Sequence, residues 1–117
     1  MSETEGTKLP LSSRLRMARE HAGLSQGQVA KLLRMHRPTI SEIEAGRRKV
    51  SVDELAKFAQ TYDVGVGWLS GEDSHMTGAL GGRIELAARE LAKLKKDDVE
   101  LVLKLLRTLR GMEGKAK

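Results

Sequence analysis

Apolar residues recur along this chain at helical spacing. Leu11, Leu15, Ala18 and Ala22 stand at i, i+4, i+7 and i+11, one stripe of a helix capped by Ser12 or Ser13 and stopped at His21-Ala22-Gly23. Ser25 opens a second helix. Its hydroxyl can accept a first-turn amide, and Gln28, three residues on, can reach back to the Ser25 amide. Val29, Leu32 and Leu33 then share a face, with the helix running to about Leu33 before Arg34-Met35-His36 interrupts it. A third, short helix starts near Arg37 and turns Ile40 and Ile43 inward. It ends at Ala45-Gly46, where glycine accepts the left-handed stop conformation. Ser51 and Glu54 repeat the reciprocal cap ahead of a fourth helix, whose inward positions read as Val52, Leu55, Ala56, Ala59 and Tyr62. Val64 to Leu69 predicts a fifth, with Trp68 sealing the base of the core.

The flanks follow different patterns. Met1 to Pro10 is polar and is expected to be disordered. Ser70 to Gly82 holds Gly71, Gly78, Gly81 and Gly82 and few apolar residues, which predicts a flexible linker, exposed enough around 78–82 to be cleaved by a protease. Beyond it, Arg83 to Leu94 places Ile84, Ala87, Ala88, Leu91 and Leu94 on one side. Lys95-Lys96 breaks the pattern, Asp97 can cap the next helix with Glu100 three residues on, and Val99, Val102, Leu103, Leu106 and Leu109 form its stripe, widened by Leu101 and Leu105. Some 30 residues cannot bury that much apolar surface within themselves. The tail therefore calls for a partner, and an identical chain is the simplest one. The expected organisation is a helical domain over 11–71, a linker over 72–82 and a dimerisation segment over 83–112.

Composition narrows the core and the setting. Phe58, Tyr62 and Trp68 are the only aromatic residues, so the core must be aliphatic. There is no cysteine, which excludes disulfides and thiolate metal sites and fits a cytoplasmic protein. No stretch approaches the ~20 apolar residues that span a bilayer, so no membrane partner is expected. The net charge of +5 is unevenly spread: +3 over 34–49 against −4 over 50–79. That asymmetry favours a polyanion docking on one face.

Two short helices joined by a tight turn are the helix-turn-helix, whose second helix can lie in a DNA major groove. Three pieces make the resemblance specific: Leu24-Ser25-Gln26 with Ala30, the run Pro38-Thr39-Ile40-Ser41-Glu42-Ile43-Glu44-Ala45-Gly46, and the closing Trp68-Leu69-Ser70-Gly71. Their order and spacing resemble the lambda-repressor-like domain, also called the xenobiotic response element family, over roughly residues 12–71. The resemblance implies an all-α fold: a five-helix DNA-binding domain, here followed by the Gly-rich linker and two C-terminal helices for dimerisation. It implies base contacts by His36, Arg37, Pro38, Ser41 and Glu42. Arg37 has the forked guanidinium that can hold guanine O6 and N7 together, and Glu42 can accept from cytosine N4 or orient Arg37. Gln26 would grip a phosphate, with Lys31, Arg34, Thr39, Arg47 and Arg48 as further backbone contacts. Arg19 and Glu44 occupy the positions of an ion pair joining the first helix to the recognition helix. Leu91, Val99, Val102, Leu103, Leu106 and Leu109 would form the dimer interface.

Catalysis finds no support. His21, His36 and His75 lack HExxH spacing, there is no nucleophile elbow or GxxxxGK[ST] loop, and Gly65-x-Gly67 is not continued into a dinucleotide fingerprint. No cofactor or metal is expected. The expected function is a sequence-specific, double-stranded-DNA-binding transcriptional regulator, a homodimeric repressor on a near-palindromic operator. The competing readings are an antitoxin that binds a toxin through the C-terminal helices and regulates its own operon, and an interaction adaptor that has lost DNA, against which the +3 segment speaks.

Overall fold

A computed structural model describes residues 8–115. Its helices are α1 (Leu11–His21), α2 (Gln26–Leu33), α3 (Arg37–Glu44), α4 (Val52–Tyr62), α5 (Val66–Ser70), α6 (Gly78–Ala92) and α7 (Lys96–Lys115), with no strand among the described residues. Two compact units divide the chain between Leu86 and Ala87.

In the first unit, both reciprocal caps form as expected. The Gln28 amide donates to Ser25 Oγ (3.1 Å) and the Ser25 amide to Gln28 Oε1 (2.8 Å). Ser51 and Glu54 repeat this at 3.1 and 3.0 Å. Helix α1 starts earlier than its serines suggest. Pro10 takes the cap position with φ −68°, the value its ring imposes, so Ser12 and Ser13 fall inside the first turn instead of capping it. Helix α2 stops on Arg34, a non-glycine residue at φ 56°, and Met35 and His36 then lead directly into α3.

Leu15, Ala18, Val29, Ala30, Ile40, Ile43, Phe58, Ala59, Tyr62, Val64, Trp68, Leu69 and Leu86 make the core. Two stripes differ from expectation. Val52 is 84% exposed and Ala56 is exposed, because the inward line of α4 runs through Leu55, Phe58, Ala59 and Tyr62. Leu32 is 61% exposed, and Val29, Ala30 and Leu33 fill the inner face of α2.

The segment expected to be a linker over 72–82 is not open chain. Helix α6 begins at Gly78, and Ser74, Gly81 and Gly82 are buried. The glycines serve close approach. A Cβ on Gly82 would lie 2.9 Å from both Leu9 Cδ1 and Met17 Sδ, and one on Gly81 would lie 2.9 Å from Met76 Cβ and 3.1 Å from its carbonyl carbon. Burial also removes 81–82 as the exposed cleavage site that composition suggested. At the other end, residues 1–7 of the expected disordered flank lie outside the described residues, while Leu9 is buried and Lys8 Nζ donates to the Gly71 carbonyl (3.0 Å).

A polar knot holds this region. Arg14, 1% exposed, donates from Nε to the Leu9 carbonyl (2.9 Å), from Nη1 to the Trp68 carbonyl (3.3 Å) and from Nη2 to Ser74 Oγ (2.9 Å). Its guanidinium carbon lies 5.1 Å from the centre of the Trp68 ring. Ser74 Oγ donates in turn to Glu85 Oε1 (2.7 Å), which also accepts from the Trp68 indole (3.1 Å), and Glu85 Oε2 takes the His75 and Met76 amides at 2.8 and 3.3 Å. Burial lowers the Arg14 pKa, partly countered by Glu85. Burial alone would raise the Glu85 carboxyl, but hydrogen bonds from His75, Ser74, Met76 and Trp68 outweigh it and hold its pKa below the usual value.

The second unit contains the end of α6 and α7. The break between them falls at 93–95, and Asp97 lies in the first turn of α7 instead of capping it. Leu91, Val99 and Val102 are half-buried, whereas Leu103, Leu106 and Leu109 are exposed, as are Leu101, Leu105 and Met112.

Two glycine substitutions should move stability in opposite directions. Gly81→Ala forces a Cβ against the Met76 backbone and should cost about 1–3 kcal/mol of first-unit stability. Gly111→Ala, in α7 with nothing within 4 Å, should stabilise its helix by about 1 kcal/mol. Urea titrations followed by circular dichroism check both signs.

Candidate nucleic-acid interface

The α2–turn–α3 pair is held from behind by one buried carboxylate. Arg19 on α1 grips Glu44, the last residue of α3, through Nε–Oε2 at 2.7 Å and Nη2–Oε1 at 3.0 Å, with side-chain exposures of only 12% and 4%. Arg19 Nη1 donates to the Leu24 carbonyl (2.9 Å) ahead of α2, and Gln26 Nε2 donates to Glu44 Oε1 (3.1 Å). Three helices thus converge on Glu44. The Glu44 hydrogen bonds raise the Arg19 pKa despite burial. Beside them, the buried Tyr62 hydroxyl has no hydrogen-bond partner among the described residues, and burial first, then the Glu44 charge, pushes its pKa up. The expected Arg19–Glu44 pair is present. That Gln26 joins it was not apparent from the chain.

With Ile40 and Ile43 buried, the opposite side of α3 faces out. His36, Arg37 and Pro38 are exposed at its start. Thr39, Ser41 and Glu42 are half-buried along it. His36 holds the cap position without a side-chain cap bond, and Pro38 lies in the first turn, where a missing amide costs nothing. Glu42 does not orient Arg37. Its Oε2 takes Arg47 Nε at 2.6 Å.

The candidate backbone cations divide into two groups. Lys31 and Arg34 are exposed, as is Arg47 apart from its bond to Glu42. Arg48 is committed elsewhere: Nη1 and Nη2 bind both oxygens of Glu54 at 3.1 and 3.0 Å, and Nη1 also reaches the Lys49 carbonyl (3.1 Å). Glu54 is therefore shared between Arg48 and the Ser51 cap, and those bonds hold its pKa down at about 2. Arg48 acts in the fold as a strut for the start of α4.

The residues that the sequence reading missed are Arg14, Ser74 and Glu85. The signal was present for two of them. Arg14 falls three residues after Leu11 and one before Leu15, within the apolar stripe of α1, and Glu85 falls between buried Gly82 and Leu86 in α6. Charged residues in such positions need partners.

Two short helices, α2 and α3, joined by a tight turn, with the second presenting a polar side outward, make the helix-turn-helix. A family model described as a helix-turn-helix domain matches residues 10–67. The chain belongs to the helix-turn-helix family of DNA-binding transcriptional regulators with the lambda-repressor-like fold. Among solved structures, the restriction-modification controller protein C.AhdI from Aeromonas hydrophila is 34% identical, with 50% of this chain and 89% of that one covered and a TM-score of 0.48. The clp gene regulator ClgR from Corynebacterium glutamicum is 26% identical over 71% of this chain and 83% of that one, with a TM-score of 0.51. A transcriptional regulator from Listeria innocua, 18% identical, shares the fold over 90% of this chain and 96% of its own, with a TM-score of 0.51. No curated protein matches. No helix among the described residues is long and apolar enough to cross a membrane.

Two outcomes test the site's supports. Glu44→Leu leaves Arg19 buried without a counter-charge and should cost about 3–5 kcal/mol, whereas the double variant Arg19→Leu/Glu44→Leu should cost distinctly less. Denaturant unfolding of the set measures the coupling. For Glu54, whose pKa is depressed on folding, the contribution to stability is full above the ordinary value of 4.5 and is lost as pH falls towards about 2. Glu54→Gln should flatten that part of the acid-stability curve, and an unchanged curve would contradict the assignment.

Proposed function

We propose that this chain is a cytoplasmic, homodimeric repressor that reads a near-palindromic operator through the major groove. The carrying observation is the outward polar side of α3, fixed to α1 and α2 through Glu44 and flanked by exposed cations. His36, Arg37, Pro38, Ser41 and Glu42 are the base-reading residues. Gln26, Lys31, Arg34, Thr39 and Arg47 lie along the backbone, with Arg48 the weakest member because Glu54 already neutralises it. Gln26 spends one amide hydrogen on Glu44 and keeps a second for a phosphate oxygen.

Dimerisation is assigned to the tail. Leu101, Leu105, Leu106, Leu109 and Met112 are all at least half exposed on α7, a surface that a second copy would cover. Two recognition helices about one turn apart, roughly 34 Å, would then meet half-sites on one face of B-DNA, and a bound dimer would exclude polymerase.

Arg37→Ala should cost about 1–3 kcal/mol on the right operator and far less on random duplex. Gln26→Ala should weaken all sequences alike. Polarisation titrations at several salt concentrations measure both, and equal Arg37→Ala losses on every duplex would limit Arg37 to phosphate. Light scattering should give twice the chain mass for the native protein and one chain mass for Leu106→Glu/Leu109→Glu. Recovery of the native chain with a second small protein on α7, in place of its own copy, would favour the antitoxin reading.

A further inference from the structure

We infer that Glu42 and Arg47 act together as one reader of a single C·G base pair in each half-site. This rests on the proposal that α3 enters the major groove, and it moves Arg47 from the backbone contacts to the bases. Glu42 lies on the outward side of α3 and Arg47 in the loop that follows, and two bonds join them: Arg47 Nε to Glu42 Oε2 at 2.6 Å, and the Arg47 amide to the Glu42 carbonyl at 2.9 Å. The second bond brings the loop back over the last turn of α3. The first spends one carboxylate oxygen and one N–H, leaving Glu42 Oε1 as an acceptor and both Nη groups of Arg47 as donors. The side chains remain 47% and 67% exposed, so these free groups are accessible.

Charge explains why the two belong together. An unpaired carboxylate brought into a groove would be repelled by the phosphates and by the acceptors that dominate its floor. The Glu42–Arg47 pair is neutral as a whole, and its outward pattern is one acceptor beside a two-pronged donor. A C·G pair presents the complement on its major-groove edge, with the cytosine N4 amino group next to guanine O6 and N7. An A·T pair also offers an amino group next to an oxygen, thymine O4, but a methyl group stands beyond that oxygen and the second guanidinium arm goes unpaired. The pair therefore selects guanine opposite cytosine. Arg48–Glu54 has similar chemistry but joins the loop to the first turn of α4, with neither residue on α3. Exposed pairs contribute little to folding, so either partner of Glu42–Arg47 can be changed without unfolding the domain.

Selection of bound duplexes from a random pool tests this, using the full chain, Glu42→Gln, Arg47→Ala and Arg47→Lys, with thermal melts as a folding control. The native chain should select C·G at one particular position of each half-site. Glu42→Gln and Arg47→Ala should each relax that same position, by about tenfold or more in relative affinity, and leave the others unchanged. Arg47→Lys, a single point charge without the fork, should not restore it. The inference is overturned if the two variants relax different positions, if neither changes any position, or if Arg47→Ala weakens every duplex equally. A native chain that selects no motif would overturn the proposed function and this inference with it.

Discussion

Glu44 is a negative charge with almost no access to water, and the outward face of α3 depends on it. A carboxylate buried to that degree survives only if its oxygens are fully occupied. Here they are taken by the Arg19 fork and the Gln26 amide, which come from α1 and α2. Because the charge sits at the end of α3, satisfying it fixes the orientation of that helix. The apolar contacts of Ile40 and Ile43 would tolerate a rotation of some degrees, since hydrophobic burial is not directional. A two-pronged ion pair with a third donor does not tolerate it. Orientation of α3 is thus set by charge, and its depth by packing.

A second buried arginine does comparable work at the other end of the unit. Arg14 gathers the Leu9 and Trp68 carbonyls and Ser74, and Ser74 passes the link to Glu85. This chain of bonds closes the first unit at Leu86 instead of at the Trp68-Leu69-Ser70-Gly71 run. Gly81 and Gly82 make it feasible by letting α6 approach Met76, Leu9 and Met17 without a Cβ between them.

The legible parts of the fold are those governed by local rules. Both reciprocal caps, the start of α3 and the stop at Gly46 could be named from residue types at fixed offsets, whereas the Arg19–Glu44 pair, long-range in the chain, was legible only through the family resemblance. Reading went astray where long-range contacts decide. Gly78, Gly81 and Gly82 have the composition of a linker, and only the tertiary partners at Met76, Leu9 and Met17 turn two of them into packing residues. The α4 stripe was displaced because Val52 looks as apolar as Phe58, and nothing local says which one faces inward. Within the site, the outward place of Arg37 at the start of α3 followed from the family resemblance. The pairing of Glu42 with Arg47 did not, since it depends on how the loop after Gly46 folds back.

These supports have meaning for function only if α3 is what meets DNA. Methylation of guanine N7, which opens only into the major groove, reports this directly on a bound operator. The account predicts two groups of protected guanines, centred about 10–10.5 base pairs apart on one face of the duplex. Free reaction of every N7 in the bound complex, with protection confined to the minor-groove adenine N3, would contradict it.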